Sequence, residues 1–510
     1  MDQSQGKMNI SRRRALAAFG GGTAAVVLAA CGETQVVTRE VPVKETVIKE
    51  VPVEKIVRET EVREVPVEKV VTQQVDRVVT KTVEVEKVVE VEKVVTQTVE
   101  VEKIVERVVE AAPQAQLQRV EIMTPYVGIP RRQPHRAWML YVSERLAEHH
   151  PNIIMDHKPT TNSTDTFFIR VAAGDPPNIK DTAGWTILKA QEIWTDLTPF
   201  IEKDGVDLGI YYPLASGLKQ GAAIYGLPFL EVAQMGFYNI TMLDRKGVPA
   251  PTADWTWDEY LERAMQLRDQ ETNEWGHHAP PNWESHYLSF VRGAGGDYLS
   301  DDGLHTTLDT EEARAGLQFL TDMYTKHDVA FPVGDQSLGN QDAVFATGTV
   351  GLFYRHAGYI PFGRTQIGDK FDWDLFLRPT NAQTGIRSHI YNQVAWSGVT
   401  QAGEVEATWT VIKFLTDQDA AVFVADNQIY PPGTREALLN NYLAGDPPPA
   451  SLDLVPVARD EATDLKYVTS NWLEWFREIG NHITPALTGE LTLDQAIENM
   501  ITNGDQILSQ

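Results

Sequence analysis

Every one of the twelve tryptophans lies beyond residue 113, and the sequence before that point is almost without aromatic side chains. A packed interior needs such side chains, because each buries a large apolar area. The core must therefore form from about residue 117 onward. The remaining stretch of nearly 400 residues is long enough for two lobes with well-buried interiors.

The charge divides in the same way. The chain carries −26 in all: +3 over residues 1–31, −5 over residues 32–113 and −24 over the rest. A domain so acidic repels nucleic acid and anionic lipid, so no nucleic-acid partner is expected. Neutral or cationic ligands suit it better than polyanions, although such a charge also serves solubility alone.

The first 31 residues read as an export signal. Ser11-Arg12-Arg13-Arg14-Ala15-Leu16 is basic, and an apolar run of small residues follows to Ala30. That run is too short and too glycine-rich for a comfortable membrane span. It ends in Leu28-Ala29-Ala30-Cys31, which holds the only cysteine. This segment resembles a bacterial lipobox, which implies cleavage before Cys31, lipidation of its thiol and anchoring at the outer face of the cytoplasmic membrane. The paired arginines resemble a twin-arginine signal, with Ala15 where that signal has Phe. One cysteine also excludes a disulfide framework and any Cys-based metal centre.

Residues 32–116 are read as a non-globular, Val/Glu/Lys-rich stalk and linker. Val-Pro-Val recurs at 41, 51 and 65, and Val-Glu-Val at 83, 89 and 99, always at even spacing. Even spacing keeps the theme on one face of an extended chain. The stretch from Val83 to Val109 can equally be drawn as a helix with interrupted heptads. Its reach is ~120 Å if helical and up to about twice that if extended.

After residue 117 strand and helix signals alternate, the mark of an α/β fold. Strands are expected at 120–123, 153–157, 178–182, 236–240, 350–354, 373–377 and 394–399. Helices are expected at 133–150, 164–173, 257–269, 310–326, 404–416, 435–443 and 493–508. Thr256 and Thr310, each followed by acids, are expected N-caps. No phosphate loop, G-x-S-x-G elbow or H-E-x-x-H motif occurs, so neither catalysis nor a cofactor is expected. His149-His150 and His277-His278 lack a third ligand at a metal-binding spacing and read as surface residues.

A series of phrases then stands out: Ala172-Ala173-Gly174-Asp175-Pro176-Pro177, Asp196-Leu197-Thr198-Pro199-Phe200, Tyr225-Gly226-Leu227-Pro228-Phe229, Tyr238-Asn239, Lys246-Gly247-Val248-Pro249, Trp255-Thr256-Trp257-Asp258-Glu259, Gly295-Gly296-Asp297-Tyr298 and Phe345-Ala346-Thr347-Gly348. In this order, over about residues 117–440, they resemble the family 1 extracellular solute-binding proteins, the maltose-binding-protein-like carbohydrate receptors of ABC importers. The resemblance implies a two-lobed type II binding-protein fold closing by a hinge. Lobe one is expected at about 117–229 and 381–430, lobe two at about 230–380 and 431–510. It also implies a small solute, most readily a sugar, and permease partners in the membrane.

Ligands of open α/β sheets sit beyond the carboxyl ends of strands. Sugars are held by aromatic faces and by paired hydrogen bonds from polar side chains. On that rule the candidate contacts are Tyr126, Trp185, Glu231, Tyr354, Arg355 and His356, with Arg355 open to a structural carboxylate or an acidic sugar; Trp396 and Asn392, near the return into lobe one, and Trp283, in a Trp/His-containing stretch, join them. The alternatives are a receptor for a peptide or polyamine, a secreted glycan-acting enzyme, and a surface sensor.

Overall fold

The computed structural model describes residues 36–54, 59–65, 81–87, 92–110, 116–124, 133–159, 163–280, 284–333 and 341–510. The chain forms two compact units, Met1–Ala115 and Gln116–Gln510. The signal, Cys31, Tyr126 and Trp283 lie outside the described residues.

In the first unit the described backbone is extended. β1 (Val36–Glu54) pairs antiparallel with β4 (Glu92–Glu110), and β2 (Glu59–Val65) with β3 (Lys81–Lys87). One register serves both ladders, from Val36↔Glu110 inward to Val65↔Lys81. Of the two ways to draw the valine repeat, the described residues take the period-2 one. Pro42 and Pro52, which would break a helix, sit within β1.

The second unit is built on β5 (Gln118–Thr124), β6 (Ile153–Pro159), β7 (Ile179–Thr182), β8 (Leu227–Asn239), β9 (Trp275–His278), β10 (Val350–His356), β11 (Trp373–Phe376), β12 (Ile390–Gly398) and β13 (Thr463–Asp464). They form one mixed sheet in the order β9-β10-β8-β12-β7-β5-β6, with β11 against β8 and β13 against β12. The helices used below are α1 (Gln133–His149), α2 (Ser163–Ala172), α3 (Gly184–Lys189), α4 (Trp257–Leu267), α5 (Glu284–Gly293), α6 (Glu311–Thr325), α7 (Val405–Thr416), α8 (Gln418–Asp426), α9 (Leu454–Glu461), α10 (Trp472–Thr488) and α11 (Leu493–Leu508).

The sheet changes lobes along β8. Its first half, Leu227–Ala233, pairs with β12; its second half, Gln234–Asn239, pairs with β10 and β11. The segment between β11 and β12 crosses back, and β13 crosses again. Each half-sheet is covered on both faces. In lobe one α1 and α7 supply one cover, packing Trp138, Trp409 and Ile412, and α2 and α3 the other, with Phe167 and Ile187. In lobe two α4, α5, α6, α10 and α11 cover one face, while the other packs Phe237, Phe353 and Trp373 with Ala458 of α9. Strands covered on both faces carry apolar runs instead of alternation, and β8 is buried at nearly every position.

This double cover explains where sequence expectation and structure part. The strand expected at 236–240 is the second half of a 13-residue strand, because a continuous apolar run has no period to count. His277 and His278, expected on the surface, are fully buried in β9. The Tyr260 hydroxyl meets Nδ1 of His277, and the His278 ring stacks on Phe353. Helices α3, α5, α8, α9 and α10 fall outside the expected set; α10 carries Pro485 in its last turns, which reads as a breaker in sequence. The caps follow their residues. Thr256 and Glu259 form a capping box, and Thr310 accepts from the Ala313 amide at 3.2 Å. Gly236 is required by packing, since a Cβ there would lie 2.0 Å from the Phe376 ring.

Trp396, a candidate ligand contact, is fully buried in lobe one, with Phe229 stacked on it at 4.6 Å and Trp138 at 6.1 Å. Trp396→Ala should therefore cost roughly 3–5 kcal/mol of stability, against about 1 kcal/mol for Thr256→Ala. Urea denaturation of both variants checks the ranking; equal midpoints would contradict it.

Candidate functional site

β5, β6 and β7 run parallel in lobe one, and β9 and β10 run parallel in lobe two. Their carboxyl ends fall at Thr124, Pro159, Thr182, His278 and His356. The loops that follow these ends, together with the crossings, define the candidate site.

In lobe one, β7 passes directly through Ala183 into α3. Gly184 and Gly217 touch there: a Cβ on Gly184 would lie 2.0 Å from the Ser216 carbonyl, and one on Gly217 would lie 2.3 Å from the Gly184 Cα. Only hydrogen fits at either position, so the contact sets the start of α3. Trp185, the next residue, is half-buried and packs against the lobe-two core together with Leu188. From the other end of α3, Lys189 pairs with Glu474 of α10. Beside it the Asp464 carboxylate accepts from the Ser216 amide, from its hydroxyl at 2.9 Å and from the Lys466 amide at 2.9 Å. The Tyr467 amide donates in turn to the Ser216 hydroxyl at 2.6 Å. Of the nine candidates, Trp185 alone among those described stands half-exposed at a strand's carboxyl end while facing the opposite lobe.

Glu231 lies at the first crossing, as the sequence placed it, but its carboxylate is already occupied. It is 2% exposed and accepts from Arg459 Nε at 2.7 Å and from Gln393 Nε2 at 2.5 Å. The Gln393 carbonyl oxygen receives the Ala215 amide at 2.6 Å. Arg459 also lies over the rings of Tyr391, at 3.7 Å, and Tyr212, at 4.7 Å. This network fastens α9 and the 213–215 loop onto the crossing. Burial pushes the Glu231 carboxyl up to about 7, against the pull of Arg459 and Gln393. Glu231 is therefore a structural anchor of the crossing, its carboxylate spent on Arg459 and Gln393.

The other candidates divide similarly. Tyr354 is 1% exposed and lies in the lobe-two core, stacked on Tyr260. Arg355 takes the structural option, donating Nε and Nη2 to Asp342 at 2.7 and 3.1 Å. His356 is half-buried at the carboxyl end of β10. Asn392 is half-buried too, with its side-chain oxygen accepting from the Gln393 amide at 2.8 Å. It shares a strand face with Trp396 by alternation. The structure thus leaves Trp185 and His356 half-buried at the strand ends of different lobes and places Trp396, Tyr354 and Glu231 in packed interiors.

Sequence reasoning passed over Asp464, Lys189 and Arg378. The first two carry no motif, because their meaning comes from the lobe opposite. Arg378 left a signal: it ends the apolar run Leu375-Phe376-Leu377 immediately before Pro379.

His277 and His278 in β9 and His389 just before β12 are buried. Burial holds His278 down to about 4 and His389 down to about 3, and lowers His277 well below the ordinary range. Unfolded, these rings take up protons near 6.5; folded, they refuse them. Their contribution to stability is complete above pH 6.5 and is lost as the pH falls toward 4. Each ring adds up to about 1.4 kcal/mol per pH unit in that window. Glu231 runs the opposite way and offsets one of them. Urea denaturation between pH 7.5 and 4.5 should show stability falling with pH, less steeply in His278→Gln. An unchanged slope in that variant would mean that the ring is charged in the fold.

The family model described as bacterial extracellular solute-binding protein matches residues 133–422. An arabinooligosaccharide-binding protein of Halalkalibacterium halodurans is 31% identical over 106 residues, which span 21% of this chain and 23% of that protein. Among solved structures, an ABC substrate-binding protein of Listeria monocytogenes in complex with cycloalternan superposes with a TM-score of 0.68 at 21% identity, covering 77% of this chain and 99% of that one. Maltose-bound MalE3 of T. maritima gives 0.65 at 21% identity, covering 76% and 99%. At these identities the solved structures establish a shared two-lobed fold.

Proposed function

From the premise that this chain belongs to the bacterial extracellular solute-binding proteins, we propose that it captures a sugar or oligosaccharide between its lobes and delivers it to an ABC importer. The family is one of exported binding proteins, not of enzymes. The named relatives bind arabinooligosaccharide, cycloalternan and maltose. The observation that carries the reading in this chain is the placement of Trp185. An indole at the carboxyl end of β7, held by the Gly184–Gly217 contact and turned toward the other lobe, offers a flat apolar face for the C–H side of a pyranose.

His356 at the end of β10, with Tyr126 and Trp283, which follow β5 and β9 in the sequence, completes the proposed contact set. Lipidation of Cys31 would hold the chain to the outer face of the membrane, and residues 32–116 would act as a spacer. The unit boundary at Ala115/Gln116 supports that division. A polyamine or peptide receptor is the second reading, favoured by the −24 charge of the binding unit.

A thermal-shift screen of the full chain against saccharides, polyamines and short peptides tests the proposal. A ligand at 100 times its dissociation constant stabilises the folded state by about 2.7 kcal/mol. A saccharide should raise the midpoint, and Trp185→Ala should weaken it about tenfold or more, the loss of one stacking contact of about 1.4 kcal/mol. A shift with polyamine or peptide alone would leave the architecture standing and remove the sugar.

A further inference from the structure

Arg378 follows β11, where the chain leaves lobe two for its return to lobe one. Four arginines are buried among the described residues: Arg263, Arg355, Arg378 and Arg459. Arg355 pairs with Asp342 and Arg459 with Glu231. Arg263 stacks on Trp255, and its buried Nη1 has no hydrogen-bond partner. Arg378, 3% exposed, leaves both Nε and Nη2 without a hydrogen-bond partner, and no carboxylate of the described residues lies within ion-pair distance. Its guanidinium sits over the Tyr354 ring at 4.2 Å. Burial brings it down to about 10, so it remains a cation at neutral pH.

An uncompensated buried charge costs several kcal/mol, and folded proteins generally supply a counter-charge. Stacking on a tyrosine face answers only part of that cost and uses neither free N–H. The surroundings are polar and also incomplete. β8 and β11 pair at Gly236↔Phe376. Gln234, two residues before Gly236 in β8, and Arg378, two residues past the end of β11, continue that register on the face that Phe376 shares with Tyr354. The Gln234 side-chain oxygen is buried without a partner. Its backbone carbonyl accepts from His389 Nδ1 at 2.5 Å, which leaves Nε2 of that ring as an acceptor; Nε2 has no hydrogen-bond partner, and Glu461 is 3.8 Å away. The neighbouring Ser388 hydroxyl is buried and unpartnered as well. The crossing therefore gathers spare donors on Arg378 and Ser388 with spare acceptors on Gln234 and His389.

We propose that Arg378 is an anion-recognising residue of the solute site, and that the anion is the carboxylate of an acidic saccharide. A carboxylate takes the parallel Nε–H and Nη2–H donors of one guanidinium edge as a bidentate pair. Hydroxyls on the same sugar would serve the spare acceptors on Gln234 and His389. A spherical inorganic anion would answer the donors and leave those acceptors unmet. This assignment rests on the sugar-capture reading and narrows it, against the acidic field of the unit as a whole, because a buried charge outweighs distant screened ones.

The test is calorimetric titration of the full chain with glucuronate, galacturonate, glucose and galactose, and separately with sodium bromide. The expected result is at least tenfold tighter binding of a uronate than of its neutral counterpart, lost in Arg378→Gln and partly kept in Arg378→Lys. Neutral sugars binding equally well in the parent chain and in Arg378→Gln would overturn the assignment while leaving sugar capture intact. Bromide bound at Arg378, with uronates no better than neutral sugars, would also overturn it, making the site a resident counter-ion. Should Arg378→Gln fail to fold, a crystal structure of the unsubstituted chain with glucuronate decides. A carboxylate oxygen within about 3.2 Å of Nε and Nη2 supports the assignment, and any other pose of the sugar refutes it.

Discussion

One strand carries the architecture. β8 belongs to both half-sheets, so whatever fixes its middle fixes how the lobes meet. The clamp is the buried trio Glu231, Arg459 and Gln393. Two charges withdrawn from water cost several kcal/mol each, and only close geometry with full hydrogen bonding offsets that. Both conditions hold for Glu231, whose two oxygens each receive a donor. The consequence is positional: α9 and the 213–215 loop are tied to the strand where it changes lobes, and the crossing cannot slide without exposing a charge in an apolar interior.

On the other side of the crossing the polar groups are incomplete. Arg378, Gln234, Ser388 and His389 keep donors and acceptors unspent. The contrast follows from what each face meets. Glu231 faces α9, which brings its own arginine. Arg378 faces the Tyr354 ring, which has no charge to give. The same short stretch of sheet thus joins a self-sufficient clamp to a set of groups that still call for a partner. Trp185 and the Lys189–Glu474 pair reach from lobe one to lobe two.

The elements were largely legible in the sequence because their causes are local. Thr256 with Glu259 and Thr310 with its following acids satisfy open amides from their own side chains, so those helices start where the residues say. Gly174 closes α2 in the left-handed conformation its neighbours avoid. Site residues were legible only in part. The strand-end rule selected Trp185 and His356, which stand half-buried at strand ends, and equally Tyr354, which lies one pleat too deep. It cannot separate them, because Tyr354 and His356 share one strand face and differ only in how far the covering helices, distant in sequence, extend over it. Trp396 illustrates the same limit: a tryptophan near a crossing serves packing or binding according to whether Trp138 and Phe229 arrive beside it.

The sequence by itself determined the division of the chain, since only residues beyond about 117 hold the aromatic mass for a core, and it determined the α/β alternation, since apolar periodicity and capping residues act over a few positions. The tertiary structure alone decided which polar groups are spent and which are free. Glu231 and Arg378 are both lone charges in apolar runs. One is neutralised by an arginine 228 residues later in the chain; the other meets an aromatic face. A charge in a low-dielectric interior takes its meaning from what stands within a few ångströms, and that distance is set by the fold.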